Sequence, residues 1–268
     1  MKKIWLLTVC ALIWVSIASG FGQEIVGHYW GMYDDGTIAG YASITIDDTK
    51  IIVDVRSDTY TGKAVHSEIP YRDITDTPLE FIEMGNTKWL LLFWPDGIYL
   101  SDGSGLYSFL SRKEGLRTEP VDPSWTITAS SFLTKEATQY VPGNLIHVSR
   151  LPWVSGNGYG IGDKLTIDLD LWPISMLSLN GYVDRDRPYL YYQNSRVRKM
   201  KITDSTSGRS KIVEVFDKPA FQRIDLHDIM DDRSKNGVLS IEILDVYKGN
   251  KYKDLCIQTI LPDFSEVK

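Results

Sequence analysis

Apolar residues in this chain recur at every second position, in short runs that turn residues cut off. Ala42, Ile44 and Ile46 alternate, then Ile51, Val53 and Val55, with Asp47-Asp48 between the two runs. The same period returns at Leu165-Ile167-Leu169, Met200-Ile202, Leu239-Ile241-Ile243 and Leu255-Ile257. A period of two places one side of an extended strand in a core and the other in water. No segment shows ten or more residues of clean 3.6-residue periodicity, so little helix is expected. Asp34-Asp35-Gly36 and Pro95-Asp96-Gly97 are further turn signals, and strands spaced this way form hairpins. The aromatic content supports strands as well, with 15 Tyr and 8 Trp in 268 residues. An all-β protein is expected, and 43% hydrophobic with 24% charged residues excludes a disordered or collagen-like chain.

The first residues set the expected address. Lys2 and Lys3 precede a 14-residue apolar run, Ile4 to Ile17, followed by Ala18-Ser19-Gly20. A basic head, an apolar middle and small residues at the cleavage position describe a secretory signal peptide over residues 1–22, cut after Gly20 or Gly22. The run is too short for a lasting membrane span. Cys10 lies in its middle, whereas a lipid-attachment cysteine would close it. A secreted or periplasmic chain with no transmembrane segment is therefore expected. It would carry a charge of −8, with Cys256 as its one thiol. One cysteine forms neither an internal disulfide nor a cysteine-based zinc site. In the run Leu255–Ile260 it reads as a small buried hydrophobe. The acidic balance excludes a nucleic-acid partner held by phosphate contacts.

Charge also divides the chain. Residues 23–118 carry 8 basic and 15 acidic side chains, and residues 119–268 carry 19 and 20. The polar stretch Arg112 to Pro120 reads as a linker between two units. Residues 23–118 are expected to form a small antiparallel barrel or meander, with Trp30, Trp89 and Trp94 in its core. Val26-Gly27-His28-Tyr29-Trp30-Gly31 resembles the first strand of a lipocalin-like barrel, over those few residues, which raises a small apolar ligand as an alternative use. Residues 119–268 are expected to form a jelly-roll β-sandwich.

Catalytic signatures are absent. Histidines stand at 28, 66, 147 and 227 without a His-Glu-x-x-His, and there is no Gly-x-Ser-x-Gly elbow or phosphate loop. The glycines of Gly156-Asn157-Gly158-Tyr159-Gly160-Ile161-Gly162 do not make a dinucleotide fingerprint. Asp163 takes the place of the third glycine, and a strand follows where a helix is required. No enzyme, cofactor or metal centre is expected. In Arg196 to Lys201, Met200 and Ile202 are expected inward, with Lys199 and Lys201 on a solvated face.

Seven ordered segments carry a resemblance. They are Ala129-Ser130-Ser131-Phe132-Leu133, Asn144-Leu145-Ile146, Pro152-Trp153-Val154, Gly158-Tyr159-Gly160-Ile161-Gly162, Asn180-Gly181-Tyr182, Asn194-Ser195-Arg196-Val197, and the stretch from Asp245 to Ile257 that includes Lys248-Gly249, Lys251-Tyr252, Asp254 and Cys256. Over residues 122–262 the chain resembles the discoidin-like, NADase-type glycan-binding domain, also described as a translocation domain of a streptococcal NAD-glycohydrolase toxin. The resemblance implies a galactose-binding-like jelly roll that binds glycans or other cell-surface ligands by loops at one end. It does not imply NAD hydrolysis, which belongs to another domain of the toxin.

Two departures bear on metals. The loop His147-Val148-Ser149-Arg150-Leu151 lacks the acids usual in relatives, and Ser155 follows Trp153-Val154 where they have Glu. Hard cations want several oxygen ligands, so calcium on this loop is not expected. A sugar site needs an aromatic platform and planar polar groups. Trp153, Tyr159 and Tyr182 are candidates for the platform, and Asn157, Asn180, Asn194 and Arg196 for the polar groups, together forming one rim. The expected function is a secreted, non-enzymatic binding protein. The alternative is a structural or protein-interaction module of the cell envelope, with its protein partner unidentified.

Overall fold

The alternating runs become strands throughout, in a computed structural model that describes residues 25–76, 78–104, 106–115, 125–146, 148, 151–170, 173–230 and 237–263. The expected signal peptide lies outside these residues, as does most of the expected linker. Eight strands come first: β1 (Gly27–Asp34), β2 (Ala39–Ile46), β3 (Lys50–Val55), β4 (Val65–Asp76), β5 (Leu79–Met84), β6 (Thr87–Trp94), β7 (Gly97–Ser101) and β8 (Tyr107–Ser111). Each pairs antiparallel with the next, and β8 returns to β1 through Trp30 opposite Ser111 and Gly31 opposite Leu110. The result is a closed barrel without sheet edges.

Short aspartate turns connect the staves. Asp35 Oδ1 accepts the backbone N–H groups of Thr37 and Ile38, both at 2.8 Å. Asp47 Oδ1 does the same for Thr49 and Lys50. These side chains substitute for a backbone turn. Gly97 is required by crowding, since a Cβ there would sit 1.9 Å from the Leu110 carbonyl oxygen.

Inside the barrel Tyr29, Tyr33, Ile44, Val53, Ile82, Trp89 and Leu91 belong to one contiguous buried cluster. Of the three tryptophans expected in the barrel core only Trp89 lies there; Trp94 is buried on the barrel's outer face, and Trp30 is not buried in either cluster. The strand alternates Tyr29, Gly31 and Tyr33 inward, so Trp30 turns outward and lies half-buried beside His28.

The second unit begins with β9 (Trp125–Ala129), the short β10 (Thr134–Lys135) and β11 (Thr138–Gln139), a 3-10 turn (Pro142–Ile146) and β12 (Trp153–Val154). Then follow β13 (Lys164–Leu169), β14 (Ser175–Asn180), the single helical turn α1 (Leu190–Gln193), β15 (Ser195–Asp204), β16 (Ser210–Glu214), β17 (Phe221–Asp225), β18 (Gly237–Tyr247) and β19 (Leu255–Asp263). The order is β17-β14-β19-β15-β18-β13-β9, with β12 on β19 and β16 on β15. β15 and β19 touch only through two parallel pairs, at Ser195–Leu255 and Arg196–Cys256. The sheet folds over at that seam. Ile127, Leu165, Ile167, Ile202, Ile241 and Ile243 from one side meet Met176, Ile224, Ile257 and Ile260 from the other in a single core. Ile257 and Ile260 reach the same core although three residues apart. The register beside Leu179 and Asn180 passes from Thr259 to Ile257 and skips Gln258, a bulge that resets the alternation.

Barrel and sandwich share a third cluster. Leu90, Leu92 and Trp94 on the outside of β6, with Phe81, Tyr99 and Phe109, pack against Leu177, Leu179, Phe221 and Leu261. This explains two sequence runs that do not alternate. Trp89–Trp94 is apolar throughout because its odd members line the barrel and its even members cover the sandwich. All nine residues of β19 are buried for a related reason. A strand buried on both faces has no solvent side to mark with polar residues. At the edge of the contact Arg223 reaches Asp96 at 2.5 Å and Asp263 at 2.6 Å, while Lys113 holds Asp96 from the other side at 2.8 Å. Burial alone would raise the Asp96 carboxyl, but the two cations outweigh it and hold it below its ordinary value.

Candidate functional site

The segments expected to form the rim do converge, on either side of the first residues of β19. β12 pairs with β19 through Trp153–Ile257 and Val154–Cys256, and β15 meets it at Leu255 and Cys256. Most of the expected site residues are consumed in making that junction. Trp153 is 0% exposed in the sandwich core, and its indole N–H donates to the Ser131 carbonyl. Tyr182 is buried against Val154 and Cys256. The Asn180 side chain mimics a strand: its amide donates to the Val197 carbonyl at 2.8 Å and its oxygen accepts the Val197 N–H at 3.0 Å. Asn194 closes α1 by donating to the Leu190 carbonyl. Arg196 is buried, with Nε and Nη2 forked onto Asp217 at 2.6 and 2.9 Å and Nη1 donating to the carbonyls of Tyr191 and Asn194. All five side chains are buried, and the hydrogen bonds just described tie them to the junction.

Asn157 and Tyr159 stand differently. Asn157 is exposed, although its amide nitrogen donates to Asp163 Oδ1 at 2.7 Å. Tyr159 packs one side on the core and is flanked by two ammonium groups, Lys248 Nζ at 5.6 Å and Lys253 Nζ at 5.9 Å from the ring centroid. Cation–ring contacts of this length are attractive.

Asp163, set aside in the sequence as the residue that spoils a glycine fingerprint, organises this end of the sandwich. Its Oδ1 accepts from Ser130 Oγ and Asn157, and its Oδ2 from Ser131 Oγ and Ser155 Oγ. Each serine in turn accepts a loop N–H, from Lys164, Gly156 and Asn157 respectively. Burial would raise the carboxyl, yet the hydrogen bonds from Ser155, Ser131, Asn157 and Ser130 together hold it below its usual range. A carboxylate offers about four lone-pair positions, and four donors occupy them. A hard cation would have to displace those donors. Ser155 and its neighbours thus do the work of cross-linking the loops.

The turn from β18 to β19 completes the surface. Residues Lys248-Gly249-Asn250-Lys251-Tyr252-Lys253 are held by their backbone to α1 and its flanks. Asn250 N–H donates to the Tyr192 carbonyl, Tyr252 N–H to the Gln193 carbonyl, and Gly249 N–H to Ser195 Oγ. Leu255 N–H closes the turn on the Gly158 carbonyl. Gly249 admits this docking, because a Cβ would meet the Gln193 carbonyl oxygen at 2.3 Å. With the backbone engaged, the side chains of Lys248, Lys251, Tyr252 and Lys253 are exposed. Tyr192 beside them is 40% exposed, with the Arg196 guanidinium 5.3 Å from its ring. Among the described residues, no carboxylate lies within 4.0 Å of the three lysine ammonium groups. The sequence held the signal in plain form, three lysines in six residues of a strand-to-strand turn, inside a motif valued for its resemblance alone.

The remaining expectations resolve simply. Cys256 is buried, and desolvation pushes its thiol well above the ordinary value. Met200 and Ile202 face the core, while Lys199 pairs with Glu214 at 3.3 Å. His147, Ser149 and Arg150 lie outside the described residues.

Comparison with known proteins bears on the second unit. No curated protein matches the chain. Among solved structures, a single-particle cryo-EM structure of a mutant arabinofuranosyltransferase AftD from Mycobacteria matches at 17% identity with a TM-score of 0.34. That match covers 51% of this chain and only 11% of that one, too slight a likeness to bear on fold or function. The profile of the NAD glycohydrolase translocation F5/8 type C domain matches residues 122–263, the whole sandwich from before β9 to the end of β19. With more than half of its length so matched, the chain belongs to the NAD glycohydrolase translocation F5/8 type C domain family.

Proposed function

We propose that this is a secreted, non-enzymatic binding protein that holds a glycan or another cell-surface ligand on the loop end of its discoidin-like sandwich. The observation that carries this reading is the rim of Tyr192, Tyr252 and the neighbouring lysines, exposed beside the half-buried Tyr159 on a backbone already fixed by hydrogen bonds. Rings that present a flat face beside mobile donors suit a sugar's C–H face and its hydroxyls. A site whose backbone does not have to order on binding loses less affinity to entropy. The family adds that this type of domain serves as a binding or translocation module.

The test is a glycan array probed with the full chain. Residues 119–268 alone would expose the face of β14, β17 and β19 that the barrel covers. The expected result is a defined set of bound glycans, lost in Tyr252→Ala at unchanged melting temperature, and lost in Tyr159→Ala beyond what the lost core packing of that ring accounts for. Silence across the array would refute the glycan reading.

One feature favours the protein-interaction alternative. β16 pairs only with β15 among the described residues, and Ile212 on it and Phe216 just after it are 62% and 65% exposed. An open edge beside exposed apolar side chains is a surface that a partner strand can extend. A partner recovered by pull-down with the wild type and lost with Phe216→Ser would support that use.

A further inference from the structure

Resting on the glycan reading above, we infer that the rim selects anionic carbohydrate, a chain bearing carboxylate, sulfate or phosphate groups. The three exposed ammonium groups of Lys248, Lys251 and Lys253 lie in one six-residue turn of a chain whose overall balance is acidic. Several other surface cations meet carboxylates, Lys50 with Glu68, Arg187 with Asp184, Arg198 with Asp245 and Lys199 with Glu214, whereas cations such as Lys63, Lys135 and Lys164 stand singly and exposed. At the rim the lysines lie beside rings instead. Lys248 and Lys253 share Tyr159, and Lys251 lies 5.0 Å from the Tyr252 centroid.

Two ammonium groups on one ring must lie within about 12 Å of each other. That arrangement gathers positive charge around an aromatic surface, with no carboxylate within 4.0 Å of any of the three ammonium groups among the described residues. A neutral sugar has no use for such a charge cluster. An anionic one uses both parts, its ring faces on tyrosine and its acidic groups on lysine, whose flexible stem lets a point charge follow the ligand. Charge complementarity of this kind sets selectivity and on-rate before it sets affinity.

The experiment compares paired polymers of the same backbone on the full chain: polygalacturonate against its fully methyl-esterified form, and dextran sulfate against dextran. Binding to the charged member of each pair, weakened between low and physiological salt, is expected. Each exposed ion pair contributes about threefold, so Lys248→Gln, Lys251→Gln and Lys253→Gln together should weaken binding by about 25-fold at unchanged melting temperature. Lys199→Gln, on the sandwich side, should leave binding unchanged.

Equal binding to the charged and neutral members overturns this inference and leaves the glycan reading intact. Binding to none of the four polymers, together with a silent array, removes both. Loss of the same size in Lys199→Gln shows diffuse attraction in place of a site, and binding confined to anionic lipid vesicles moves the ligand to another class; either result overturns the inference.

Discussion

Replacing Asp163 tests whether one carboxylate holds the binding end together. Asp163→Ala removes four acceptor interactions at once, and it leaves Ser130, Ser131, Ser155 and Asn157 with donors turned toward an empty space. A hydrogen bond to a charged group contributes roughly 1.5–3 kcal/mol when fully buried. Gly156 and Asn157 are exposed, so water reaches part of the cluster and the loss should be well below four times that value. About 4 kcal/mol is expected for Asp163→Ala. Asp163→Asn keeps one acceptor oxygen and turns an amide toward two hydroxyls that can each accept, so about 2 kcal/mol is expected there.

For a chain of this size 1 kcal/mol moves the melting temperature by about 2–4 °C. The alanine variant should therefore melt about 8–16 °C lower at pH 7, read by circular dichroism. The dependence on pH has a definite sign. The folded carboxyl titrates below the unfolded value, about 3.9. Its stabilisation is therefore complete above that pH and fades as pH falls through the folded value. Wild type and Asp163→Asn should converge as the pH drops below about 3.9. A fall of less than 2 °C in the alanine variant at pH 7, or a gap between wild type and Asp163→Asn that does not narrow in acid, would refute the reasoning.

Trp153→Ala should cost about 3–5 kcal/mol as a core deletion, and Arg196→Ala about 3 kcal/mol because Asp217 loses its fork. Both should show as unfolding in urea titrations, with binding lost only in proportion to unfolded protein. Gly97→Ala forces a methyl onto the Leu110 carbonyl and should cost about 3 kcal/mol, the upper end of overpacking, measured by thermal melting. A fragment of residues 119–268 should bind a hydrophobic dye and aggregate, since Leu177, Leu179, Phe221 and Leu261 lose their cover. The full chain should do neither, and a fragment as stable and dye-silent as the full chain would contradict the shared cluster.

The sequence alone determined the fold class, and it did so through local rules. A period of two, aspartate turns and the lack of a helical period each act within a few residues, so Ile44, Val53, Ile167 and Ile241 could be assigned inward without knowing their partners. The ordered motifs likewise located the sandwich, because they fix its junctions. What they could not show is that Trp153, Asn180 and Arg196 act in this chain as structural fasteners. An Asn that pairs with a backbone and an Asn that binds sugar are the same letter, and the difference lies in a strand 17 residues away. The role of Asp163 was hidden for the same reason, since its four donors come from two separate loops. The doubly buried strands β6 and β19 carried their message in the sequence as unbroken apolar runs, but only the docking of barrel on sandwich says what covers the second face. Exposure itself is decided at that level: the tertiary fold engages the backbone of residues 249–254 with α1 and its flanks and leaves Lys248, Lys251, Tyr252 and Lys253 outside.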